Sequence, residues 1–216
     1  MLVQYRVTPD PIIVAPEMPI AEALALMRQK KVHRFPVVDK KGKLVGIVSN
    51  SDLLYAAPSS ATSLSIWEVT YLLNQIKVGD VMTRKVITVD DDCPIEEAAR
   101  LMRQHAIGGT PVLHDGQLVG IITESDIFDV FLELLMAQEA GVRLTALAPY
   151  FKGSMAQIAS AVTARGGLIH ALNSFRGEDD STWGCVLKVA DISKDDLVET
   201  IRPLVVKILD VQEVQS

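Results

Sequence analysis

The chain carries a duplicate of itself, which constrains its fold more than any other feature, because a repeated unit must bury its apolar faces against its twin. Pro19-Ile20-Ala21-Glu22-Ala23-Leu24-Ala25-Leu26-Met27-Arg28-Gln29 recurs as Pro94-Ile95-Glu96-Glu97-Ala98-Ala99-Arg100-Leu101-Met102-Arg103-Gln104. Gly42-Lys43-Leu44-Val45-Gly46-Ile47-Val48-Ser49-Asn50-Ser51-Asp52 recurs as Gly116-Gln117-Leu118-Val119-Gly120-Ile121-Ile122-Thr123-Glu124-Ser125-Asp126. Between these blocks, Phe35-Pro36-Val37-Val38 answers Thr110-Pro111-Val112-Leu113, and the register slips by one residue at the Lys40-Lys41 turn. About half the aligned positions are identical.

Each copy reads as strand, helix, strand, strand, helix. Ile12-Ile13-Val14 and Val86-Ile87-Thr88-Val89 are short β-prone runs that end in turn residues. Ile20, Ala23, Leu24 and Met27, mirrored by Ile95, Ala98, Ala99 and Met102, fall at i, i+3, i+4, i+7 and predict one apolar helix face. Pro36-Val37-Val38 and Leu44 to Val48, with their copies, predict hairpins turning at Lys41-Gly42 and Asp115-Gly116. Ser49 or Ser51, and Thr123 or Ser125, are candidate caps for a closing helix whose second version lines up Ile127, Val130, Phe131, Leu134 and Leu135. Between the copies, Pro58 to Ser63 reads as a loop and Leu64 to Ile76 as a helix, with Trp67 and Tyr71 one turn apart.

Composition narrows the function classes. The chain has 216 residues, is 49% apolar and carries a net charge of −6, so it resembles an ordered globular protein and lacks the field of a general nucleic-acid binder. Cys93 and Cys185 show no disulfide or zinc spacing, and His33, His105, His114 and His170 form no HxxH or HExxH pair. No run approaches the ~18 apolar residues of a spanning helix, and the first residues lack a signal-peptide plan, so a soluble cytoplasmic protein is expected. Asp90-Asp91-Asp92 is best explained as capping the helix after Pro94, not as a metal cluster. No residues combine into nucleophile, base and oxyanion donor, so neither an enzyme nor a required cofactor or metal is expected.

The repeated motifs resemble a tandem cystathionine-β-synthase (CBS) domain pair, or Bateman module. The resemblance rests on hydrophobic-x-x-x-Pro-Val at Val32 to Val37 and Ile107 to Val112, on Gly-hydrophobic-hydrophobic-Ser/Thr-x-x-Asp at Gly46 to Asp52 and Gly120 to Asp126, and on Val78-Gly79-Asp80-Val81-Met82-Thr83 before the second copy. A carboxylate at a helix entry accepts hydrogen bonds from vicinal hydroxyls, so Asp52 and Asp126 suit ribose, while Ser49 and Thr123 offer hydroxyls for a phosphate. The alternative is that both aspartates are only helix caps. The resemblance implies shared clefts, one combining Thr123 and Asp126 with Ile12, Ile13, His33, Arg34 and Pro36, the other Ser49 and Asp52 with Val86, Ile87, Gly109, Thr110 and Pro111. On that grouping the first cleft carries the phosphate-type side chains, and the second, with Gly108-Gly109, is neutral.

The pattern changes after Gly141. A strand at Arg143 to Leu147, a helix face of Met155, Ile158, Ala159 and Val162, strands at Leu168 to Ser174 and Trp183 to Val189, a helix around Leu197 to Leu204 bent or shortened by Pro203, and a strand at Lys207 to Val214 give a ferredoxin-like βαββαβ order. With Gly153 and Gly166-Gly167-Leu168-Ile169, this tail resembles an ACT domain. Pro149 to Lys152 stands where that family has an acidic residue, so a protein partner or a pairing role is as well supported as an amino-acid ligand. Two CBS copies followed by an ACT-like tail resemble AcuB-type acetoin-utilisation proteins.

The expected fold is α/β (α+β): CBS repeat 1 at 1–60, a linker helix at 61–77, CBS repeat 2 at 78–140 and an ACT-like domain at 141–216. The expected function is regulatory: an adenosyl compound such as AMP, ATP or S-adenosylmethionine binds the CBS clefts, a homodimer forms through the CBS pair, and the signal reaches the tail or a partner enzyme. A scaffold with non-binding clefts that recruits a metabolic enzyme is the alternative.

Overall fold

In the computed structural model, the described residues are 1–56 and 74–215. The expected loop at Pro58 to Ser63 and most of the linker helix, Trp67 and Tyr71 included, lie outside them. The chain divides into two compact units, Met1–Ile127 and Phe128–Ser216.

In the first unit, β1 (Thr8–Pro9), α1 (Ile20–Lys30), β2 (Arg34–Val38), β3 (Leu44–Ser49) and α2 (Asn50–Ala56) are followed by α3 (Val78–Val81), β4 (Val89–Asp90), α4 (Ile95–His105), β5 (Gly109–His114), β6 (Gln117–Thr123) and α5 (Glu124–Leu134), which runs on past Ile127. The helices α1 and α4 bury the expected face: Ile20, Ala23, Leu24 and Met27 in one, Ile95, Ala98 and Met102 in the other. Pro19 and Pro94 stand as N-caps, where a missing N–H costs nothing. Both helices stop the same way, with Lys31 and Ala106 in the left-handed region and their N–H groups returned to the last turn. The β5–β6 hairpin turns on Asp115-Gly116, both with positive φ, the geometry a two-residue turn needs. The β2–β3 turn is longer, and the Asp39 carboxylate organises it by accepting from the N–H groups of Lys41 (2.8 Å) and Lys43 (2.9 Å).

Two expected strands are shorter than the sequence suggests. Ile12 and Ile13 lie outside any strand, and Val14 makes only a single parallel bridge to Val37. Pro9 and Pro11 remove ladder donors just before it. Val86 and Ile87 also precede the strand, which is confined to β4, and the Ile87 carbonyl accepts from the Thr110 hydroxyl in place of a ladder N–H.

The two copies complete each other. β1 lies antiparallel to β6 of the second copy (Thr8↔Ile121), and Thr83, just ahead of the second copy, bridges Ile47 of the first. Gly46 and Gly120 make these crossings possible: a Cβ on Gly46 would strike the Met82 sulfur, and one on Gly120 would strike Val7. The core of the first copy gathers Val14, Ile20, Met27, Phe35, Val37, Val48 and Leu53, and reaches Val78 of α3 and Met82, its C-cap.

The second unit contains β7 (Gly141–Pro149), α6 (Ser154–Ala164), β8 (Leu168–Arg176), β9 (Thr182–Ala190), α7 (Lys194–Ile201) and β10 (Lys207–Val214). Its sheet runs β10-β7-β9-β8, antiparallel throughout, which is the expected βαββαβ order. Alternate residues Val142, Leu144, Ala146 and Ala148 of β7, with Trp183, Cys185, Leu187 and Val189 of β9, pack against Ile158, Val162, Leu197 and Ile201 of the two helices. Met155, expected on the inner face of α6, is 38% exposed, and Ser154 is buried in its place. Pro203 ends the second helix, which tightens to a 3-10 turn at Arg202–Leu204.

Candidate functional site

Ser49 is the last residue of β3 and sits immediately before α2. Its N–H (2.8 Å) and its hydroxyl (2.7 Å) both donate to Asp52 Oδ2, while Ser49 Oγ accepts from the Asp52 N–H at 3.3 Å. This reciprocal capping ties strand end to helix start and fixes the carboxylate through one oxygen. Oδ1 takes no part in these bonds, and its two lone pairs suit a pair of vicinal hydroxyls. The second copy repeats the device: Thr123 N–H and hydroxyl each donate to Asp126 Oδ2 at 2.7 Å. Both aspartates thus take part in capping, an arrangement compatible with ligand contact.

Asp52 opens onto a cavity of about 550 Å³, within the ~300–1,000 Å³ range of small-molecule sites. His33 and Arg34 line it from the start of β2, Ile47 and Ser49 from β3, Asn50 and Ser51 from α2, and Thr83, Lys85 and Ile87 from the segment leading to β4. Ala106 to Gly109 close it from the second copy. The wall thus combines apolar side chains (Ile47, Ile87, Ile107), a fixed carboxylate and three basic groups (His33, Arg34, Lys85).

Arg34 is the residue that reaches furthest between the copies. Its Nη1 donates to the Gly109 carbonyl at 3.1 Å. Its Nη2 stands 2.7 Å from where a Cβ on Gly108 would be, with the Glu124 carboxylate nearby, so Gly108-Gly109 is the space the guanidinium occupies. Burial holds its pKa below the usual guanidinium value, opposed by the charges of Glu124 and Asp52.

The cavity brings together His33, Arg34, Ser49, Asp52, Ile87 and Gly109 from the sequence-derived candidates. His33 and Arg34, expected with Thr123 and Asp126, also line the Asp52 cavity: Arg34 is the cross-strand partner of Ser49, while its guanidinium lies beside Gly109, Thr123 and Glu124. The Asp52 cleft is accordingly basic, not neutral. Pro36, Thr110 and Pro111 are buried; Thr110 commits its hydroxyl to the carbonyls of Ile87 and Pro111. Ile12 packs against the first copy's core, Ile13 is half-exposed, and Val86 and these two lie outside the cavity lining. Thr83 and Lys85 were not anticipated; comparison of the copies position by position, which sets Lys85 against Asp10, is the signal that finds them.

The sequence matches the CBS domain over residues 3–59 and 78–133, just over half of the chain. The chain belongs to the CBS-domain family. The CBS domain pair of protein MJ0100, solved in complex with 5′-methylthioadenosine and S-adenosyl-L-methionine, is 31% identical with a TM-score of 0.51, the match covering 61% of this chain and 99% of that one. CBSX2 from Arabidopsis thaliana, solved in complex with AMP, is 33% identical with a TM-score of 0.51 over 61% of this chain and 96% of that one. A protein from Vibrio cholerae described as an acetoin utilization protein (AcuB) is 32% identical with a TM-score of 0.53, over 64% and 95%. The chain is thus a CBS pair followed by a βαββαβ unit that begins beyond the family match. Among the described residues, no helix is long and apolar enough to cross a membrane, and no three His, Cys, Asp or Glu side chains are placed to hold a metal ion.

Proposed function

We propose that this CBS pair is a regulatory sensor that binds an adenosyl compound (AMP, ATP or S-adenosylmethionine) in the Asp52 cavity and does not itself catalyse a reaction. The observation that carries this is the Asp52 carboxylate, held by Ser49 at the edge of a cavity that also supplies apolar walls and basic groups. In this reading Asp52 takes the ribose hydroxyls, Ile47, Ile87 and Ile107 flank the base, and Arg34, Lys85 and His33 face the 5′ substituent. The complexes of similar CBS pairs with AMP, 5′-methylthioadenosine and S-adenosyl-L-methionine support that ligand class. Thr123 and Asp126, with the same capping geometry, mark a second cleft of the same kind.

The sensor works as a cytoplasmic homodimer paired through its CBS units. Its ligand favours one arrangement of the pair and so biases the tail, an ACT-like module, or an enzyme that the tail recruits. Calorimetric titration of AMP, ATP and S-adenosylmethionine into the full chain tests the reading. Saturable binding by at least one is expected, weakened roughly ten- to a hundredfold in Asp52→Ala, as loss of a charged hydrogen-bond acceptor implies. Binding by none of the three would overturn it.

A further inference from the structure

The Asp52 cavity carries basic groups at positions where the equivalent residues of the other copy are acidic or small. Position by position, Lys85 in the second copy answers Asp10 in the first, while Arg34 and His33 in the first answer Gly109 and Gly108 in the second. His33, Arg34, Gly108 and Gly109 all line this cavity, and Lys85 joins them where Asp10 does not: Thr83 exchanges backbone hydrogen bonds with Ile47 at 2.9 and 3.0 Å and fixes the segment that carries Lys85 to the cavity. The residue that would answer Lys85 on the other side is an acid, in a chain whose net charge is −6.

We infer that the Asp52 cavity selects an adenosyl ligand bearing a 5′-phosphate over one whose 5′ substituent is uncharged or a sulfonium. This rests on the adenosyl reading above and sharpens it. Arg34 anchors one end of its fork on the Gly109 carbonyl, and a planar guanidinium so held presents its remaining donors in a fixed direction, which suits the oxygens of a phosphate. Lys85 adds a second positive charge at the rim. Asp52, already bonded to Ser49, and Glu124, beside the Arg34 fork, are the opposing charges. A sulfonium would meet two cations, Arg34 and Lys85, and no new acceptor beyond Asp52 and Glu124.

Calorimetry of the full chain with AMP, adenosine, 5′-methylthioadenosine and S-adenosylmethionine separates the contributions. AMP is expected to bind roughly tenfold or more tighter than adenosine, with S-adenosylmethionine weakest, and the margin should shrink as salt is raised. Lys85→Asp, which imports the residue of the first copy at an exposed position, should remove most of the AMP preference while adenosine binding persists; Lys85→Gln should fall between. Equal affinities for AMP and adenosine, a preference for S-adenosylmethionine, or an AMP preference that survives Lys85→Asp combined with Arg34→Ala would each overturn this inference and leave the adenosyl reading standing. Failure of all four compounds to bind would overturn both.

Discussion

The first and second copies set the same capping box at the same point, Ser49 with Asp52 and Thr123 with Asp126, to within about 0.1 Å in each bond. They use the matching core position differently: the first copy buries Phe35 fully where the second buries Thr110 fully. They also hold their hairpins differently, one by the Asp39 carboxylate on backbone N–H groups, the other by Asp115-Gly116 with His114 bonded to Asp91 at 3.1 Å. Duplication preserved the joints between elements and released the positions around them. A shared motif therefore identifies where a ligand could be held, and the residues that differ decide which ligand and at what stability.

The core position separates the copies by the largest margin. Phe35→Ala should cost about 3–5 kcal/mol in chemical denaturation of the CBS unit, from lost burial and the cavity left behind. Thr110→Val should cost about 1–3 kcal/mol, because it leaves the Ile87 carbonyl without its hydroxyl donor. If Thr110→Val were the more damaging, polar joinery rather than packing would dominate this layer. Next come the caps: Ser49→Ala and Thr123→Ala should each destabilise by about 0.5–2 kcal/mol, equally within error, since their geometry is equal. Only Ser49→Ala should also weaken AMP binding at the Asp52 cavity, and a matching loss in Thr123→Ala would show that the two clefts are not independent.

The smallest effect lies in the hairpins and has opposite sign in the two copies. Hydrogen bonding and charge attraction from Asp91 hold His114 above the usual histidine value. Its contribution is complete below pH ~6.5 and is lost as pH rises through its raised folded pKa. The N–H groups of Lys43 and Lys41 hold Asp39 below the usual carboxylate range, so its contribution is present above the usual value and is lost as pH falls through the folded one. His114 is exposed and Asp39 partly so, and solvent screens both, so the measurement is of direction. In thermal melts across pH, His114→Gln should flatten the neutral limb and Asp39→Asn the acid limb. Identical profiles for the two variants would remove the distinction.

Much of this was legible in the residues. The helix faces of α1 and α4 follow from 3.6-residue spacing, and the βαββαβ order of the second unit from runs separated by Gly and Pro, because those signals are periodic and long. The short elements were not. Thr8–Pro9 and the Thr83 bridge carry no pattern that two residues could display, and the runs at Ile12 and Val86 look like strands although pairing begins only at their last residues, Val14 and Val89. At the site, Ser49 and Asp52 were readable from their spacing. That Arg34 lines the Asp52 cavity depends on register: Val38 pairs with Leu44, and an irregularity after Val37 sets Arg34 opposite Ser49. A one-residue slip changes which face a side chain occupies. Lys85 sits in an unpatterned segment and gains meaning only from where that segment crosses β3.

The crossing of β1 onto β6 also shapes how the chain is made. Thr8 leaves the ribosome more than a hundred residues ahead of its partner Ile121. The first copy can close on Thr83 soon after its own synthesis, whereas Thr8–Pro9 stays unpaired until nearly the whole CBS unit has emerged. The last step of folding this unit thus belongs to a strand made early, and a change at Thr8–Pro9 would be felt first in the second copy, on whose β6 it pairs.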